Sequence, residues 1–455
     1  MLPDDVLLEI FDFYVDEYQS FRKGVKAWHL LVHVCRQWRS VVFGSPRRLN
    51  LRLVGTNKTP VKDTLGVWPP LPLVIRKCAG QLTEGVDNII ALLKHRDRVD
   101  DIELTHINSS SLEKVLAAMQ EPFPELTDLL LKSDDKTVPV LPDSFLGGSA
   151  DSAPRLRYLV LDGIPFPGLP KLLLSATQLV QLYLVNISHS GYFSPEGMLN
   201  ALSASTSLVA LHIDFQSPQS APDWASRRPP PLTRTVLPAL TNILFKGVSE
   251  YLEEIAARID APELKYLDIT LFNQILFDTP QFVQFISRTP TLKALKKARV
   301  AFADGAARIN LSTQTSGFGE LTVKIQCKEL DWQISSLEQV CTSCLPSLSM
   351  LDDLYIYMDK VGYWRDNVEN TLWLELFSPF VGVKNLYLSK QVAPRIVPAL
   401  QELVGTGATE VLPALQNVFL EGLPSSGPVQ EGIGIGQFVA TRQVTSHPIA
   451  ISSWS

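Results

Sequence analysis

The chain predicts an α/β fold in which stacked strand-and-helix layers follow a small helical unit at the N-terminus. Three observations predict it. Apolar-x-apolar triplets return along the chain from Ile102/Leu104 to Val418/Leu420, amphipathic segments lie between many of them, and residues 2–46 carry two apolar stripes at three- and four-residue spacing. A single strand-and-helix layer cannot cover its own apolar face, so neighbouring layers must stack before paired leucines can form a core.

The N-terminal unit opens with Leu2-Pro3-Asp4-Asp5. Proline near a helix start sacrifices no hydrogen bond, and acidic residues in the first turn face the positive end of the helix dipole. Val6, Leu7, Ile10, Phe11 and Tyr14 make the first stripe; Leu31, Val34, Cys35, Trp38, Val41 and Val42 make a second, read as one further helix. A unit of about 45 residues buries too little surface to stand alone, so its apolar faces need the following domain or a partner. The Leu-Pro opening, the pair Ile10-Phe11, the run Val34-Cys35-Arg36-Gln37-Trp38-Arg39 and the Ser45-Pro46 stop together resemble the F-box. That resemblance implies docking on a Skp-type adaptor of a cullin-RING ubiquitin ligase. The residues it assigns to the adaptor contact are Leu2, Pro3, Val6, Leu7, Ile10, Phe11, Val34, Cys35 and Trp38.

Composition narrows the function classes. The formal net charge of the 455 residues is −6, which leaves no general source of phosphate attraction, so nucleic acid is not an expected partner. Five scattered cysteines, Cys35, Cys78, Cys327, Cys341 and Cys344, suit reduced thiols better than a secreted disulfide framework. No apolar run is long enough to span a bilayer. The expectation is a soluble protein of the cytoplasm, the nucleus or both, without a membrane partner.

Taken in order, residues 1–48 form the helical unit, 49–100 a join with the first repeats, 101–422 the layered region and 423–455 a C-terminal capping segment. Leu49 to Val54 alternates and reads as a first strand. The triplets follow at Ile102/Leu104, Leu129/Leu131, Leu159/Leu161, Leu182/Leu184, Leu211/Ile213, Ile243/Phe245 and Leu267/Ile269, weakly at Leu295, then at Val323/Ile325, Leu354/Ile356, Leu386/Leu388 and Val418/Leu420. Their spacing averages about 29 residues, within the range of leucine-rich repeats. Helices are expected at Ser111 to Met119, Pro195 to Ala204, Val248 to Arg258, Pro280 to Ser287 and Ile334 to Cys344. Ser133 to Pro154, Gln216 to Pro238 and Met358 to Pro379 read as long interruptions. The second contains Arg227-Arg228-Pro229-Pro230-Pro231, a solvated loop or a polyproline ligand. Gly432, Gly434 and Gly436 lack the flanking strand and acidic residue of a dinucleotide site.

The layered region resembles the leucine-rich-repeat solenoid, and phrases such as Trp68-Pro69-Pro70-Leu71-Pro72 and Phe285-Ile286-Ser287-Arg288-Thr289-Pro290 resemble F-box proteins with divergent repeats, numerous in mushroom-forming fungi. The resemblance implies a curved parallel sheet on a concave face and helices on a convex one, with irregular curvature because a regular asparagine ladder is absent apart from Asn186. If the leucines point inward, the residues between them point out of the concave face. Tyr158, Tyr183, His212, Tyr266, Tyr355, Tyr357, Tyr387 and Phe419 occupy such positions and are the candidate target-binding residues. Equal spacing of Tyr355, Tyr387 and Phe419 predicts one column on adjacent strands.

Catalytic candidates fail on context. Cys341-Thr342-Ser343-Cys344 lacks a second ligand pair, His29 and His33 lack a third ligand, and no nucleophile-base set or phosphate loop has supporting neighbours. No catalytic residue, metal or cofactor is therefore expected. The leading expectation is a non-enzymatic substrate receptor of a Skp-cullin-F-box ubiquitin ligase that binds a protein target on its repeats. The alternative is a repeat scaffold unrelated to ubiquitin, its F-box-like helices serving as an N-terminal cap.

Overall fold

Buried leucine, isoleucine or valine alternating with half-buried polar and aromatic residues sets most of the strands of the computed structural model. The described residues are 2–19, 27–58, 60–77, 85–135, 137–148, 153–167, 169–218, 234–273, 277–313, 320–345, 348–358, 368–402, 411–422, 440, 443 and 449–454. The Arg227–Pro231 run, Cys78, the glycines at 432, 434 and 436 and most of the expected capping segment lie outside them. Two compact units divide the chain, one of residues 1–193 with 200–205 and the other of 194–199 with 206–455.

The first unit begins with α1 (Asp4–Gln19), α2 (Ala27–Val32) and α3 (Arg36–Gly44). The second apolar stripe is thus two helices rather than one. Extended backbone at Cys35 ends the run, and its Sγ accepts the Trp38 backbone N–H at 3.5 Å to start α3. Next come β1 (Leu53–Thr56), α4 (Val61–Leu65), β2 (Leu73–Arg76), α5 (Val86–Leu93), β3 (Val99–Leu104), α6 (Ser109–Ala118), β4 (Asp128–Lys132), β5 (Tyr158–Asp162), α7 (Leu169–Ser175) and β6 (Gln181–Ile187). The expected strand at Leu49 starts only at Leu53, because residues 46–50 form a turn in which Asn50 is left-handed at φ 46°. All six strands pair in parallel and in chain order. Leu129, Leu159 and Leu182 share one register row and are fully buried, as the repeat pattern requires. Asn108 caps α6 by accepting the Ser111 N–H at 2.8 Å.

Helix α8 (Pro195–Leu202) has residues in both units. The second unit continues with β7 (Ala210–Phe215), β8 (Thr235–Val236), β9 (Asn242–Gly247), α9 (Ser249–Arg258), β10 (Ile259–Asp260), β11 (Tyr266–Phe272), α10 (Pro280–Arg288), β12 (Lys297–Ala303), β13 (Ala306–Ser312), β14 (Glu320–Gln326), α11 (Leu330–Ser343), β15 (Asp353–Met358), α12 (Asn370–Phe377), β16 (Asn385–Leu388), α13 (Ala393–Glu402), β17 (Asn417–Glu421) and β18 (Ala450–Trp454). Its main sheet runs β7-β9-β11-β14-β13-β12-β15-β16-β17-β18, while β8 and β10 form a separate pair. Helices α9 and α10, α11 and α12, and α12 and α13 pack as neighbours. The Glu253 carboxylate of α9 accepts the first free N–H groups of α10, from Gln281 at 2.9 Å and Phe282 at 2.7 Å, so one helix caps the next.

Three expectations are corrected here. The sheet is not wholly parallel, since β13 pairs antiparallel with both β12 and β14. Leu295 is buried in an irregular stretch between a 3-10 turn of helix at Pro290–Lys293 and β12, not in a strand; β12 begins at Lys297 and folds back through Asp304-Gly305, with Gly305 at φ 82°. The expected interruption at Met358 to Pro379 likewise contains α12, whose Trp373 and Phe377 are fully buried. Among the described residues no helix is long and apolar enough to cross a membrane.

Candidate functional site

Helix α1 carries two apolar stripes, and folding uses only one of them. Leu7 is 3% exposed and Phe11 fully buried, with the Phe11 ring meeting Trp38 edge-on at 4.8 Å. On the opposite side Leu2 is 52% exposed, Val6 43%, Ile10 47% and Phe13 75%. Positions 6, 10 and 13 follow the four-then-three spacing that keeps residues on one helix face. Gln37 ties α3 to the start of α1, its Nε2 donating to Leu2 O at 3.4 Å and to Asp4 Oδ1 at 3.1 Å. Those bonds bring the exposed Val34-Cys35 turn beside the end of α1 that bears Leu2, Pro3 and Val6.

Of the nine residues the F-box resemblance assigns to an adaptor contact, Leu2, Pro3, Val6, Ile10, Val34 and Cys35 are exposed and Trp38 is half-buried. Leu7 and Phe11 belong to the core of the helical unit; they hold the outer stripe in place without forming it. Phe13 and Leu30, 59% exposed, were absent from that set. Phe13 was legible from its spacing to Ile10. The unit joins the first repeat layer through Trp28, whose indole N–H donates to Arg52 O at 3.1 Å and whose ring meets Trp68 at 5.3 Å. His29 and His33 lie against the same Trp68 ring, at 4.8 and 6.1 Å, so they build an aromatic cluster.

The eight candidate target-binding residues all lie half-buried at strand positions facing away from the leucines. In the first unit Tyr158 and Tyr183 meet at 5.8 Å, and the cations on that face are paired: Arg52 with Asp100 at 2.7 Å, Arg76 with Asp101 at 3.2 Å and Lys132 with Asp162 at 2.7 Å. Burial pushes the carboxyls of Asp100 and Asp101 above the usual range, against the pull of those arginines. Asn186, left-handed at φ 53°, donates to Asp162 Oδ1 at 2.6 Å.

In the second unit Tyr355, Tyr387 and Phe419 share a register row and stack face to face, with centroids 4.1 and 4.4 Å apart. One row away, Asn385 donates to Asp353 Oδ1 at 2.7 Å and Asn417 to Asn385 Oδ1 at 2.8 Å, a short asparagine ladder along the strand starts. The Arg299 guanidinium sits 5.8 Å from the Tyr355 centroid, at one end of the stack. Trp454, on β18, returns across β17: its indole N–H donates to Leu388 O at 3.2 Å, and its ring stands edge-on to Tyr355 and Tyr387 at 6.1 and 5.8 Å. Burial, then Tyr355 and Asp353, push the Tyr387 phenol up to about 12. Tyr266 stands apart from the stack, donating to Asp268 at 3.0 Å, and its phenol is likewise pushed up to about 12 by burial and that carboxylate. His212 lies on β7 and Tyr357 on β15, two residues beyond Tyr355. Arg299 and Trp454 escaped the sequence reading, the first because β12 went unrecognised and the second because nothing local marks the return of the tail.

Cys341 and Cys344 are buried, Thr279 Oγ1 donates to Cys344 Sγ at 2.7 Å, and burial pushes both thiols up, Cys344 to about 11. A cleft of about 500 Å³ is lined by Asn273, Gly305, Gln326, Cys327, Lys328, Glu329 and Trp332. Among the described residues no group of three or more His, Cys, Asp or Glu side chains is placed to hold a metal ion.

No protein-family model matches the sequence, and no match was found among curated proteins. Among solved structures that match is the leucine-rich-repeat-containing protein LegL7 from Legionella pneumophila, at 12% identity and a TM-score of 0.28, with 86% of this chain and 96% of that chain covered. The repeat architecture rests on the strand register and leucine burial described above, not on that superposition.

Proposed function

We propose that the chain is a non-enzymatic substrate receptor: the helical unit docks a Skp-type adaptor, and through it a cullin-RING ubiquitin ligase, while the open strand face captures a protein target. The acceleration such a receptor provides is proximity, since it holds the modifying enzyme and target together. One observation carries the reading. Val6, Ile10 and Phe13 expose a continuous apolar stripe on a helix whose opposite stripe already seals its own core, and exposed apolar patches of this kind fit a protein partner. Cytoplasm, nucleus or both would be the site of action, and neither nucleic acid nor membrane is a partner in this reading.

Co-expression with a Skp-type adaptor tests it. Val6→Asp with Ile10→Asp strips the adaptor from the purified chain while the melting curve is unchanged; retained adaptor would count against the assignment. A second reading has support in the Trp28 contacts with Arg52 and Trp68, which fasten the helices to the first layer as a solenoid cap would be fastened. Under that reading the wild-type chain brings down no adaptor at all.

A further inference from the structure

The antiparallel insertion places Arg299 beside the aromatic stack and Lys324 farther along the same face, and among the described residues neither has a counter-ion. Arg299 faces outward between the buried Ala298 and Val300, and Lys324 faces outward between the buried Val323 and Ile325. The register aligns Arg299 with Asn310 and Asn310 with Thr322, and the 2.8 Å bond from Asn310 Nδ2 to Thr322 Oγ1 places those side chains on one face. Arg308 is directly opposite Lys324 in the same antiparallel pair, which puts another cation on that face. Elsewhere in this unit outward lysines are matched, Lys246 by Asp214 at 2.9 Å and Lys297 by Asp353 at 3.8 Å. Among the described residues no carboxylate reaches Arg299 or Lys324.

We infer that this face binds an extended acidic segment of a protein, with an apolar anchor against Tyr387 and Trp454 and carboxylates at Arg299 and Lys324. The inference rests on the reading of the strand face as the target-binding surface and gives that target a chemistry. Strands lie about 4.8 Å apart, so Arg299 is roughly 10 Å from the Tyr387 strand and Lys324 roughly 19 Å. An extended peptide advances about 3.3 Å per residue, which sets the acidic positions roughly three to six residues from the anchor. Tyr355 and Tyr387 stack face to face at that anchor position, and Trp454 supplies a wall roughly perpendicular to them.

The test is selection from a displayed library of random linear peptides with the full chain as bait, alongside the Arg299→Gln/Lys324→Gln variant, whose changes fall on surface side chains. Selected peptides should carry Asp or Glu at the stated distance from an aromatic or aliphatic residue. Synthetic copies should bind the variant about tenfold more weakly or worse, and wild type more weakly as salt rises. Enrichment of basic or uncharged sequences, no enrichment, or equal binding by the variant overturns the inference. So does a phosphoserine copy that binds more than about tenfold tighter than its glutamate parent, which would make phosphate the ligand. Adaptor capture is measured on the same preparation. Peptides selected without adaptor sink the ligase reading alone, whereas adaptor bound without peptides sinks this one alone.

Discussion

The Tyr387 ring lies parallel to Tyr355, with 4.1 Å between centroids and 7° between planes. Two residues thirty-two positions apart become face-to-face neighbours because they hold equivalent places in parallel strands. Packing that half-buries the ring also makes its phenolate costly.

Alkaline stability follows from that cost. The Tyr387 phenol ionises near 10 in the unfolded chain and at about 12 in the folded one, so the folded state holds its proton longer. Its contribution is complete below about pH 10 and is lost as pH rises through about 12. Urea midpoints across that window should fall for wild type, less steeply for Tyr387→Phe, and less again when Tyr266→Phe is added. An unchanged slope in the double variant would contradict the burial of these phenols.

The two stripes of α1 should separate in stability. Phe11→Ala removes a fully buried ring in contact with Trp38 and should cost about 3–5 kcal/mol, read as faster hydrogen exchange across α1, α2 and α3. Ile10→Asp changes an exposed side chain and should stay within about 0.5 kcal/mol. If the two variants exchange alike, the division into an inner and an outer stripe is incorrect.

Backbone geometry governs the β12-β13 turn. Gly305 has φ 82° and nothing within 4 Å of where a Cβ would stand, so a substitution meets conformational strain alone. Gly305→Val should lower the melting temperature by a cost of about 1–2 kcal/mol, whereas Gly305→Asn, a residue that tolerates the left-handed region, should be close to neutral. Equal melting of the two variants would place the constraint elsewhere.

How much of this was legible differs from residue to residue. The column of Tyr355, Tyr387 and Phe419 could be read because equal spacing in parallel strands forces equal register. The division of α1 could not, since both stripes are apolar and periodicity does not say which is inner. The break before α3 was hidden because cysteine is not among the usual capping residues, and the apolar pattern ran through it. Asp304-Gly305 between two alternating runs is a strong hairpin signal, yet the repeat period drew attention to Leu295 instead. With the hairpin missed, Arg299 and its place beside Tyr355 were missed too.

The position of β14 also governs how this unit can assemble during synthesis. An array whose strands pair in chain order can add each layer as it leaves the ribosome. Here β11 takes β14 as its neighbour, so the growing edge at Tyr266–Phe272 waits until Glu320–Gln326 has been made. β13 and β12 then lie between β14 and β15 in the sheet, so this doubling-back lengthens the sequence separation of neighbouring strands between the early and late halves.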